Sequence, residues 1–401
     1  MISHHDIVKA HEKMKGIVHV TPLDYSRTFS NFSNNEVYLK LENLQKTGSF
    51  KVRGSYNKIT SLDKDELSKG VVAASAGNHA QGVAYASTML GIPCTIVMPI
   101  TAPLSKVQAT RGYGANVEQH GASFDDALAY ALELKEQKGA TFVHAFDDEA
   151  IIAGQGTVGI EILEQLPDVD VIICPVGGGG LIAGLAAAVK EKKPSVQIYG
   201  VEASACPSMA MSMVEKKPIT VEADPTMADG IAVKKPGHRP FELAQRYVDD
   251  MFTVDELEIA RTMLMLLERN KLLVEGSGAV SLAALLYQKI PIKNKKVVSV
   301  ISGGNVDVSF ISRIIERGMV EAGRFMHFTT ILKDRPGNLE KVLEVITERQ
   351  GNILDISLSH MGDKIYPSYA QLSLSIETRD QGHIEEILAA LKMKGYITER
   401  L

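Results

Sequence analysis

Short apolar runs alternate with helical patterns over the first three quarters of the chain. Between the apolar runs, the stretches 79–90, 105–112, 124–138, 156–166 and 181–190 have helical spacing. The apolar runs are rich in Val and Ile, are bounded by Gly or Pro, and predict buried strands over residues 71–75, 94–99, 115–120, 141–146, 171–176, 197–203 and 297–302. This alternation predicts an α/β architecture, with parallel sheets covered by helices on both faces. Ligands of such sheets bind at the carboxyl ends of the strands.

The pattern changes after Gly323. Strands are indicated over 326–332, 352–359, 369–377 and 396–401, with helices over 336–350 and 381–393. The order βαββαβ predicts a ferredoxin-like domain over residues 325–401, joined to the rest by a short charged linker at 317–324. Apolar and polar residues alternate along the strand 369–377 regularly enough for it to pair with a second copy of the chain.

Composition narrows the class of protein. A chain of 401 residues exceeds one ordinary core and indicates two or three domains. The net charge of −5, without a basic block, argues against a nucleic-acid partner. No apolar run approaches the ~18 residues of a membrane span, and the N-terminal residues lack the apolar core of a secretory signal. Cys94 and Cys174 lie in strand runs without CxxC spacing, which predicts reduced residues of a cytoplasmic protein.

Lys51 is the first candidate for chemistry. It follows the small polar turn 45–50 and precedes the helical pattern 53–59. An anchored and partly enclosed amine loses its proton more easily than a solvated one, so it can act as a nucleophile or base. A solvated lysine at a helix N-terminus is the alternative interpretation.

Four consecutive glycines further along the chain favour the interpretation of Lys51 as a functional residue. The strand 171–176 runs into Gly177–Gly180, and a helix opens at Leu181. The converging N–H groups and the helix N-terminus form an anion cradle that suits a compact phosphate monoester. Neither a Walker lysine nor a GxGxxG fingerprint with its ribose acid is present. A tight structural turn is the alternative.

Two further strand ends carry polar groups. The loop from Ser75 to His79 offers backbone N–H groups for a carboxylate, and the Asn78 amide for a hydroxyl or phenolate oxygen. His79 suits either a base or a satisfied histidine at a helix start. Ser302 ends the strand 297–302, where its hydroxyl can bond a neutral pyridine nitrogen or serve as an ordinary turn residue.

These motifs occur in a fixed order over roughly residues 5–320: Ser-Phe-Lys-Val-Arg-Gly at 49–54, Ser-Ala-Gly-Asn-His at 75–79, the four glycines at 177–180, Met-Ala-Asp-Gly-Ile-Ala at 227–232 and Ser-Gly-Gly-Asn-Val at 302–306. Together they resemble the threonine dehydratases (threonine ammonia-lyases), which are fold-type II pyridoxal phosphate enzymes with two parallel-sheet subdomains like those of tryptophan synthase β. The tail, with Asp-Arg-Pro-Gly-Asn-Leu at 334–339, resembles an ACT domain, a small-molecule sensor common on amino-acid enzymes. The resemblance implies a catalytic domain over 1–320, with a small subdomain of about 46–146 inserted in the large one, and a regulatory domain over 325–401.

The same resemblance implies pyridoxal 5'-phosphate as cofactor and assigns the site residues. Lys51 is the Schiff-base lysine and the catalytic residue, Phe50 packs on the cofactor ring, and Ser302 bonds the pyridine nitrogen. Asn78 bonds the phenolic oxygen. The phosphate is bound by Gly177, Gly178, Gly179, Gly180 and Leu181. The substrate carboxylate is bound by Ser75, Ala76, Gly77, Asn78 and His79.

The implied reaction is the β-elimination and deamination of L-threonine to 2-oxobutanoate and ammonia, with L-serine as a secondary substrate. The freed Lys51 amine removes the α-proton of the external aldimine. The sequence offers no obvious carboxylic acid, so the cofactor phosphate is the candidate proton donor to the leaving hydroxyl. Ala76 stands where serine racemases of this fold carry a serine, so racemisation should be weak. Glu202 matches the glutamate of their divalent-metal site, but Ser208 stands where the aspartate would be. No divalent metal is therefore expected, and a monovalent ion stays open.

A regulatory ligand is expected in the tail. Pro336 can take the first helical position, and Gly337, Asn338 and Leu339 then offer backbone donors that suit the carboxylate of a branched-chain amino acid. A homo-oligomer, either a dimer or a tetramer, is expected. An L-serine dehydratase of the same fold and a catalytically weak amino-acid-binding regulator are the alternatives. Isoleucine biosynthesis and threonine catabolism are both open, as is activation by a nucleotide.

Overall fold

A computed structural model describes residues 2–361 and 365–400. It consists of two compact units, Met1–Asp307 and Val308–Leu401. The strands of the first unit are β1 (Leu23–Tyr25), β2 (Glu36–Leu41), β3 (Val71–Ala74), β4 (Cys94–Met98), β5 (Asn116–Gln119), β6 (Thr141–Phe142), β7 (Val171–Pro175), β8 (Gln197–Ala203), β9 (Asp250–Val254) and β10 (Lys296–Ile301).

The helices of the first unit surround these strands. They are α1 (His4–Met14), α2 (Arg27–Ser33), α3 (Lys51–Ile59), α4 (Lys64–Lys69), α5 (Asn78–Leu90), α6 (Leu104–Gly112), α7 (Phe124–Lys138), α8 (Glu149–Gln165), α9 (Gly180–Lys192), α10 (Ser208–Glu215), α11 (His238–Tyr247), α12 (Glu256–Met265) and α13 (Gly276–Leu286). Short 3₁₀ turns occur at Glu42–Leu44 and Asp229–Ile231, and a π turn at Leu266–Asn270.

The ten strands form two sheets. The larger has the order β1-β2-β10-β7-β8-β9, in which only β1 is antiparallel to its neighbour. The smaller has the order β5-β4-β3-β6 and is parallel throughout. Strands β3, β4 and β7 are buried along their whole length, which explains their continuous apolar sequences. The predicted α/β class, with two parallel-sheet regions, is confirmed.

The chain passes twice between the two sheets. The strands of the smaller sheet lie within residues 71–142, between β2 and β7 of the larger sheet. The chain therefore leaves the larger sheet after β2 and returns to it at β7. The two crossing segments, 42–70 and 143–170, carry Lys51 and its hydrogen-bond partner Ala145.

Helix α8 starts earlier than its pattern predicted, at Glu149 instead of residue 156. Asp148 caps it, because its carboxylate accepts hydrogen bonds from the N–H groups of Ala150 and Ile151. The glycines within α8 allow close packing, since a Cβ at Gly156 would lie 2.7 Å from the carbonyl oxygen of Gly184 on α9.

Four charged side chains are buried together between β2, α3 and α8. Lys40, Glu42 and Arg53 are fully buried and Glu161 is 2% exposed. Arg53 binds both oxygens of Glu42 at 2.8 Å and both oxygens of Glu161 at 2.5 and 2.9 Å. The Lys40 ammonium donates to Glu161 at 2.6 Å and to the Thr21 carbonyl at 2.8 Å. Two positive and two negative charges compensate each other, so the cluster is neutral as a whole.

The second unit contains α14 (Val308–Glu321), β11 (Phe325–Lys333), α15 (Asn338–Glu348), β12 (Asn352–Ser359), β13 (Tyr369–Glu377), α16 (Gln381–Met393) and β14 (Thr398–Arg400). Its strands form one antiparallel sheet in the order β12-β13-β11-β14. With α15 and α16 this is the predicted ferredoxin-like arrangement, which is confirmed. Helix α14 occupies the predicted linker as far as Glu321 and groups with this unit. Leu401, the end of the last predicted strand, lies outside the described residues.

Two details of the tail differ from the sequence-based expectation. Helix α15 begins at Asn338 and not at Pro336, because Gly337 adopts a left-handed φ of +84° as its N-cap. Strand β13 pairs with β12 on one side and with β11 on the other. The prediction that this strand pairs with a second copy was therefore wrong, since both of its edges are occupied.

No helix in the described ranges 2–361 and 365–400 combines the length and the apolar character needed to cross a membrane.

Candidate active site

The loop before Lys51 is held against the turn that follows β10. The N–H of Phe50 donates to the carbonyl oxygen of Ser302 at 3.2 Å, and the N–H of Gly304 donates to that of Gly48 at 2.9 Å. Helix α5 packs directly on the first turn of α3, because a Cβ at Gly82 would lie 3.0 Å from the Lys51 carbonyl carbon. Lys51 is the first residue of α3 and follows the polar turn that the sequence indicated.

The Lys51 side chain is half-buried. Its Nζ donates to the Ala145 carbonyl oxygen at 3.2 Å and lies 5.1 Å from the centre of the Phe50 ring. Burial lowers the pKa of the amine to about 8, and nearby Glu275 acts in the opposite direction. An amine with this pKa is partly neutral near neutral pH, so it is available as a nucleophile or base. These properties favour the functional interpretation of Lys51 over a solvated lysine.

Asn78, at the start of α5, belongs to a chain of side-chain hydrogen bonds. Its Nδ2 donates to Glu275 Oε1 at 2.7 Å, and its Oδ1 accepts from Asn305 Nδ2 at 2.7 Å. Asn305 Nδ2 also donates to the Thr47 carbonyl oxygen at 2.8 Å. Sequence reasoning overlooked Glu275 altogether and gave Asn305 no role. The available signal was an acid between the apolar run 272–274 and the Gly-Ser-Gly at 276–278.

Glu275 places a carboxyl group in the site. Burial raises its pKa to about 7, repulsion by Asp229 acts in the same direction, and the hydrogen bond from Asn78 acts against both. The sequence showed no obvious carboxylic acid for the site, because Glu275 lies 197 positions from Asn78 and only folding brings the two together.

The pocket beside Lys51 also contains hydroxyl groups without strong partners. Ser302 is 3% exposed, and its Oγ is 3.4 Å from the Ser277 carbonyl oxygen, a long distance for a hydroxyl donor. Within the described residues, the hydroxyls of Ser49 and Ser277 are buried and form no hydrogen bond. Buried polar groups of this kind are typically satisfied by a ligand or water. The donor set fits a polar aromatic ring such as that of pyridoxal phosphate.

The glycine turn lies between β7 and α9, as the sequence predicted. Gly179 adopts a left-handed φ of +90° and caps α9, whose first N–H groups have no partner within the helix. The Phe146 ring packs on Gly178 so closely that a Cβ there would collide with it. Phe146 follows Ala145, the partner of Lys51, so one short segment contacts both the lysine and the cradle. N–H groups at a helix start fit a phosphate.

The loop Ser75–Asn78 is half-buried, whereas His79 is buried. The ring of His79 bonds the Val143 carbonyl oxygen through Nε2 at 2.9 Å. Burial first, and then the Lys51 charge, lower its pKa to about 3. The ring is satisfied at Nε2 only, since Nδ1 is buried and has no hydrogen-bond partner within the described residues. The lowered pKa nevertheless argues against a general base.

Glu202 caps helix α10. Its carboxylate accepts hydrogen bonds from the N–H groups of Met209 and Ala210, both at 2.8 Å, and the Ser208 hydroxyl donates to the Val233 carbonyl oxygen at 2.6 Å. Among the described residues, no group of three or more His, Cys, Asp or Glu side chains is placed to hold a metal ion.

The predicted effector residues lie at the start of α15. Gly337 and Leu339 line an open groove along that helix, and the Asn338 side chain donates to the Lys333 carbonyl oxygen at 2.9 Å. Pro336 precedes the helix.

Comparison with known proteins identifies the class to which this site belongs. The model of the family described as pyridoxal-phosphate dependent enzyme matches residues 14–303. The chain therefore belongs to the pyridoxal-phosphate-dependent enzymes, and pyridoxal phosphate is their cofactor.

Individual relatives narrow this class further. The L-threonine ammonia-lyase of Thermotoga maritima is 50% identical over 396 residues, which cover 99% of this chain and 98% of that protein. The catabolic L-threonine dehydratase of Escherichia coli K12 is 46% identical over 319 residues, which cover 79% of this chain and 96% of that protein. The structure of the processed threonine deaminase isoform 2 of Solanum lycopersicum superimposes with a TM-score of 0.76 at 38% identity, covering 79% of this chain and 87% of that one.

Proposed function

We propose that this chain is a threonine ammonia-lyase, which converts L-threonine to 2-oxobutanoate and ammonia, with L-serine as a secondary substrate. The observation that carries the proposal is a set of contacts: the loop before Lys51 bonds the turn after β10, Asn78 lies against that turn at Gly303, and Lys51 bonds Ala145, whose neighbour Phe146 packs on the glycine turn. The identity of 50% to an L-threonine ammonia-lyase over nearly the whole chain supports the substrate.

Each residue of the pocket has a defined task in this proposal. The N–H groups of Gly177–Gly180 and Leu181 hold the phosphate, Phe50 packs on the ring, and Lys51 binds the cofactor covalently. Bound pyridoxal phosphate supplies the electron sink for the electrons left at the α-carbon. The substrate amine would displace the Lys51 amine from the cofactor. The freed amine, whose pKa burial lowers to about 8, would then remove the α-proton in its neutral form.

Ser302 sets the strength of that electron sink. A hydroxyl can hydrogen-bond the neutral pyridine nitrogen, but it cannot keep that nitrogen protonated as an aspartate would. A neutral ring is a weaker sink, so it favours rapid loss of the β-hydroxyl over a long-lived carbanion.

The Ser75–His79 loop is proposed to bind the substrate carboxylate through backbone N–H groups. Ala76 has no hydroxyl with which to return a proton to the opposite face of the α-carbon. Elimination should therefore predominate over racemisation.

A steady-state assay tests the proposal. L-threonine should yield 2-oxobutanoate with a higher kcat/KM than L-serine yields pyruvate, and borohydride should abolish both the visible cofactor absorbance and the activity. A higher kcat/KM for L-serine would indicate the alternative, a serine dehydratase. Amino-acid binding without turnover would indicate the other alternative, a regulator.

Regulation by the second unit is a further part of the proposal. A ferredoxin-like fold with the groove along α15 supports an ACT-type sensor for a branched-chain amino acid at Pro336–Leu339. Since β13 is interior, pairing of tails in a homo-oligomer would use an edge strand. Edge strand β12 exposes Leu354, Ile356 and Leu358, which supports that choice.

Deletion of residues 325–401 tests this regulation. The remainder should be active, as its extent resembles that of the Escherichia coli relative. It should no longer respond to isoleucine or valine, whereas the full chain should change its threonine saturation by about 5- to 150-fold in affinity. A response to isoleucine would indicate a biosynthetic role. Full-length protein that binds neither amino acid by calorimetry would exclude the sensor.

The cytoplasm is the proposed location. Cys94, Cys174 and Cys206 are all free and buried, which supports a reducing compartment.

A further inference from the structure

The Glu275 side chain points away from its own helix. Glu275 is the N-cap residue of α13, a position where acidic side chains commonly bond their own helix, but it makes no such bond. It reaches across to Asn78 on α5, whose Nδ2 donates to Oε1 at 2.7 Å. Gly303 permits this approach, because a Cβ there would collide with Glu275 Oε1. A buried carboxyl is thus directed at an amide of the candidate site.

Hydrogen-bond chemistry fixes the direction of that amide. The Thr47 carbonyl oxygen only accepts, so the Asn305 atom at 2.8 Å from it must be nitrogen. The same nitrogen lies 2.7 Å from Asn78, so the facing atom of Asn78 must be Oδ1. Asn78 Nδ2 then faces Glu275 with one N–H and has a second N–H left to donate.

We infer that Thr47, Asn305 and Glu275 form an orientation relay that holds the Asn78 amide with its free N–H directed at the phenolic oxygen of the cofactor. Glu275 is the terminal positioning residue of this relay. The inference rests on the proposed contact between Asn78 and that oxygen. The two ends of an amide have nearly the same shape, so without the relay Asn78 could turn its oxygen toward the phenolic oxygen and lose the bond.

The relay requires an acceptor at position 275 and not a charge. A neutral carboxyl retains its carbonyl oxygen, so the arrangement tolerates the raised pKa of about 7. Glutamine at 275 supplies an oxygen acceptor of the same reach, whereas alanine supplies none. The two substitutions therefore separate the hydrogen bond from the charge.

The test compares two cofactors with the full-length apoprotein. Pyridoxal 5'-phosphate has the phenolic oxygen, and 3-deoxypyridoxal 5'-phosphate lacks it. Dissociation constants for both are measured by fluorescence titration, and the ratio of the two constants reports only interactions through that oxygen. Glu275→Ala should reduce the preference for pyridoxal phosphate by about three- to tenfold, the worth of one hydrogen bond. Glu275→Gln should keep the wild-type ratio.

Two further variants complete the design. Asn305→Ala, at the other end of the relay, should reduce the ratio in the same direction. Glu202→Ala removes a buried carboxylate that caps α10, so it should leave the ratio unchanged even if it weakens both cofactors. If Glu275→Ala does not fold by circular dichroism, Glu275→Gln and Asn305→Ala decide the question.

The relay is refuted if Glu275→Ala and Asn305→Ala weaken both cofactors equally. It is also refuted if Glu275→Gln changes the ratio as much as Glu275→Ala, because the charge would then be the active property. Wild-type protein that binds neither cofactor would refute the proposed function itself, which is a distinguishable outcome.

Discussion

The buried cluster of Lys40, Glu42, Arg53 and Glu161 should make a large contribution to the stability of the first unit. Glu161→Gln removes one negative charge and keeps the shape, so it leaves an uncompensated positive charge in a fully buried place. Breaking a buried ion pair in this way costs about 3–5 kcal/mol. Lys40→Met leaves an uncompensated negative charge and also removes the bond to the Thr21 carbonyl, so a similar loss of about 3–5 kcal/mol is expected.

The double variant is the informative one. Lys40→Met with Glu161→Gln removes one charge of each sign and retains the bidentate contact between Arg53 and Glu42 at 2.8 Å. The cluster is then neutral again. The double variant should be more stable than the sum of the single losses predicts, by a coupling of about 0.5–3 kcal/mol.

Urea unfolding followed by circular dichroism measures these differences, with the midpoint multiplied by the slope as the free energy of unfolding. Lys69→Met breaks the exposed pair with Asp65, which lies on the surface, and serves as the matched control. It should leave the midpoint unchanged. Additive losses in the double variant, or single losses no larger than that of the control, would show that charge compensation does not hold this cluster together.

Four other results follow from the site. Lys51→Ala should abolish turnover and the visible cofactor band while leaving the circular dichroism unchanged; residual activity above a small fraction of wild type would contradict its role. Burial lowers the pKa of Lys51 to about 8, well below the ~10.4 of an ordinary lysine. The rate at which apoprotein binds pyridoxal phosphate should therefore rise with pH as the neutral amine accumulates, and it should reach half its maximum near pH 8. Ser302→Asp should protonate the ring nitrogen, add long-wavelength absorbance and slow elimination relative to α-proton exchange, and a variant as fast as wild type without new absorbance would count against Ser302. Gly178→Ala should weaken cofactor binding at least tenfold by equilibrium titration, because its Cβ would collide with Phe146; undiminished affinity would show that the turn can move.

The sequence predicted buried elements better than edges. Strands β3, β4 and β7 are buried along their whole length, and their boundaries were predicted within one residue, as were those of β8. Strands β1 and β9 carry polar residues on exposed faces and do not stand out from loops. In the tail, alternation in β13 suggested an edge, but alternation reports which side chains are buried and not which strands are neighbours.

The site was predictable where one stretch of chain carries the chemistry. The turns at Lys51, Gly177–Gly180 and Ser302 are local motifs, and the structure brings Lys51 and Ser302 together. Glu275 was missed because its role depends on Asn78, which lies 197 positions away in the sequence. The role of a buried carboxyl group can be assigned only when the residues that folding brings next to it are known.

The path of the chain between the two sheets has a mechanical consequence. Rotation of the smaller sheet relative to the larger one must bend the backbone where it crosses, in segments 42–70 and 143–170. Lys51 lies on one crossing, and its partner Ala145 lies on the other. The segments that would bend are thus the same segments that carry Lys51 and Ala145. Any such rotation would change the distance between the Lys51 amine and the Ala145 carbonyl oxygen directly. No other part of the chain would be needed to transmit the movement to the amine.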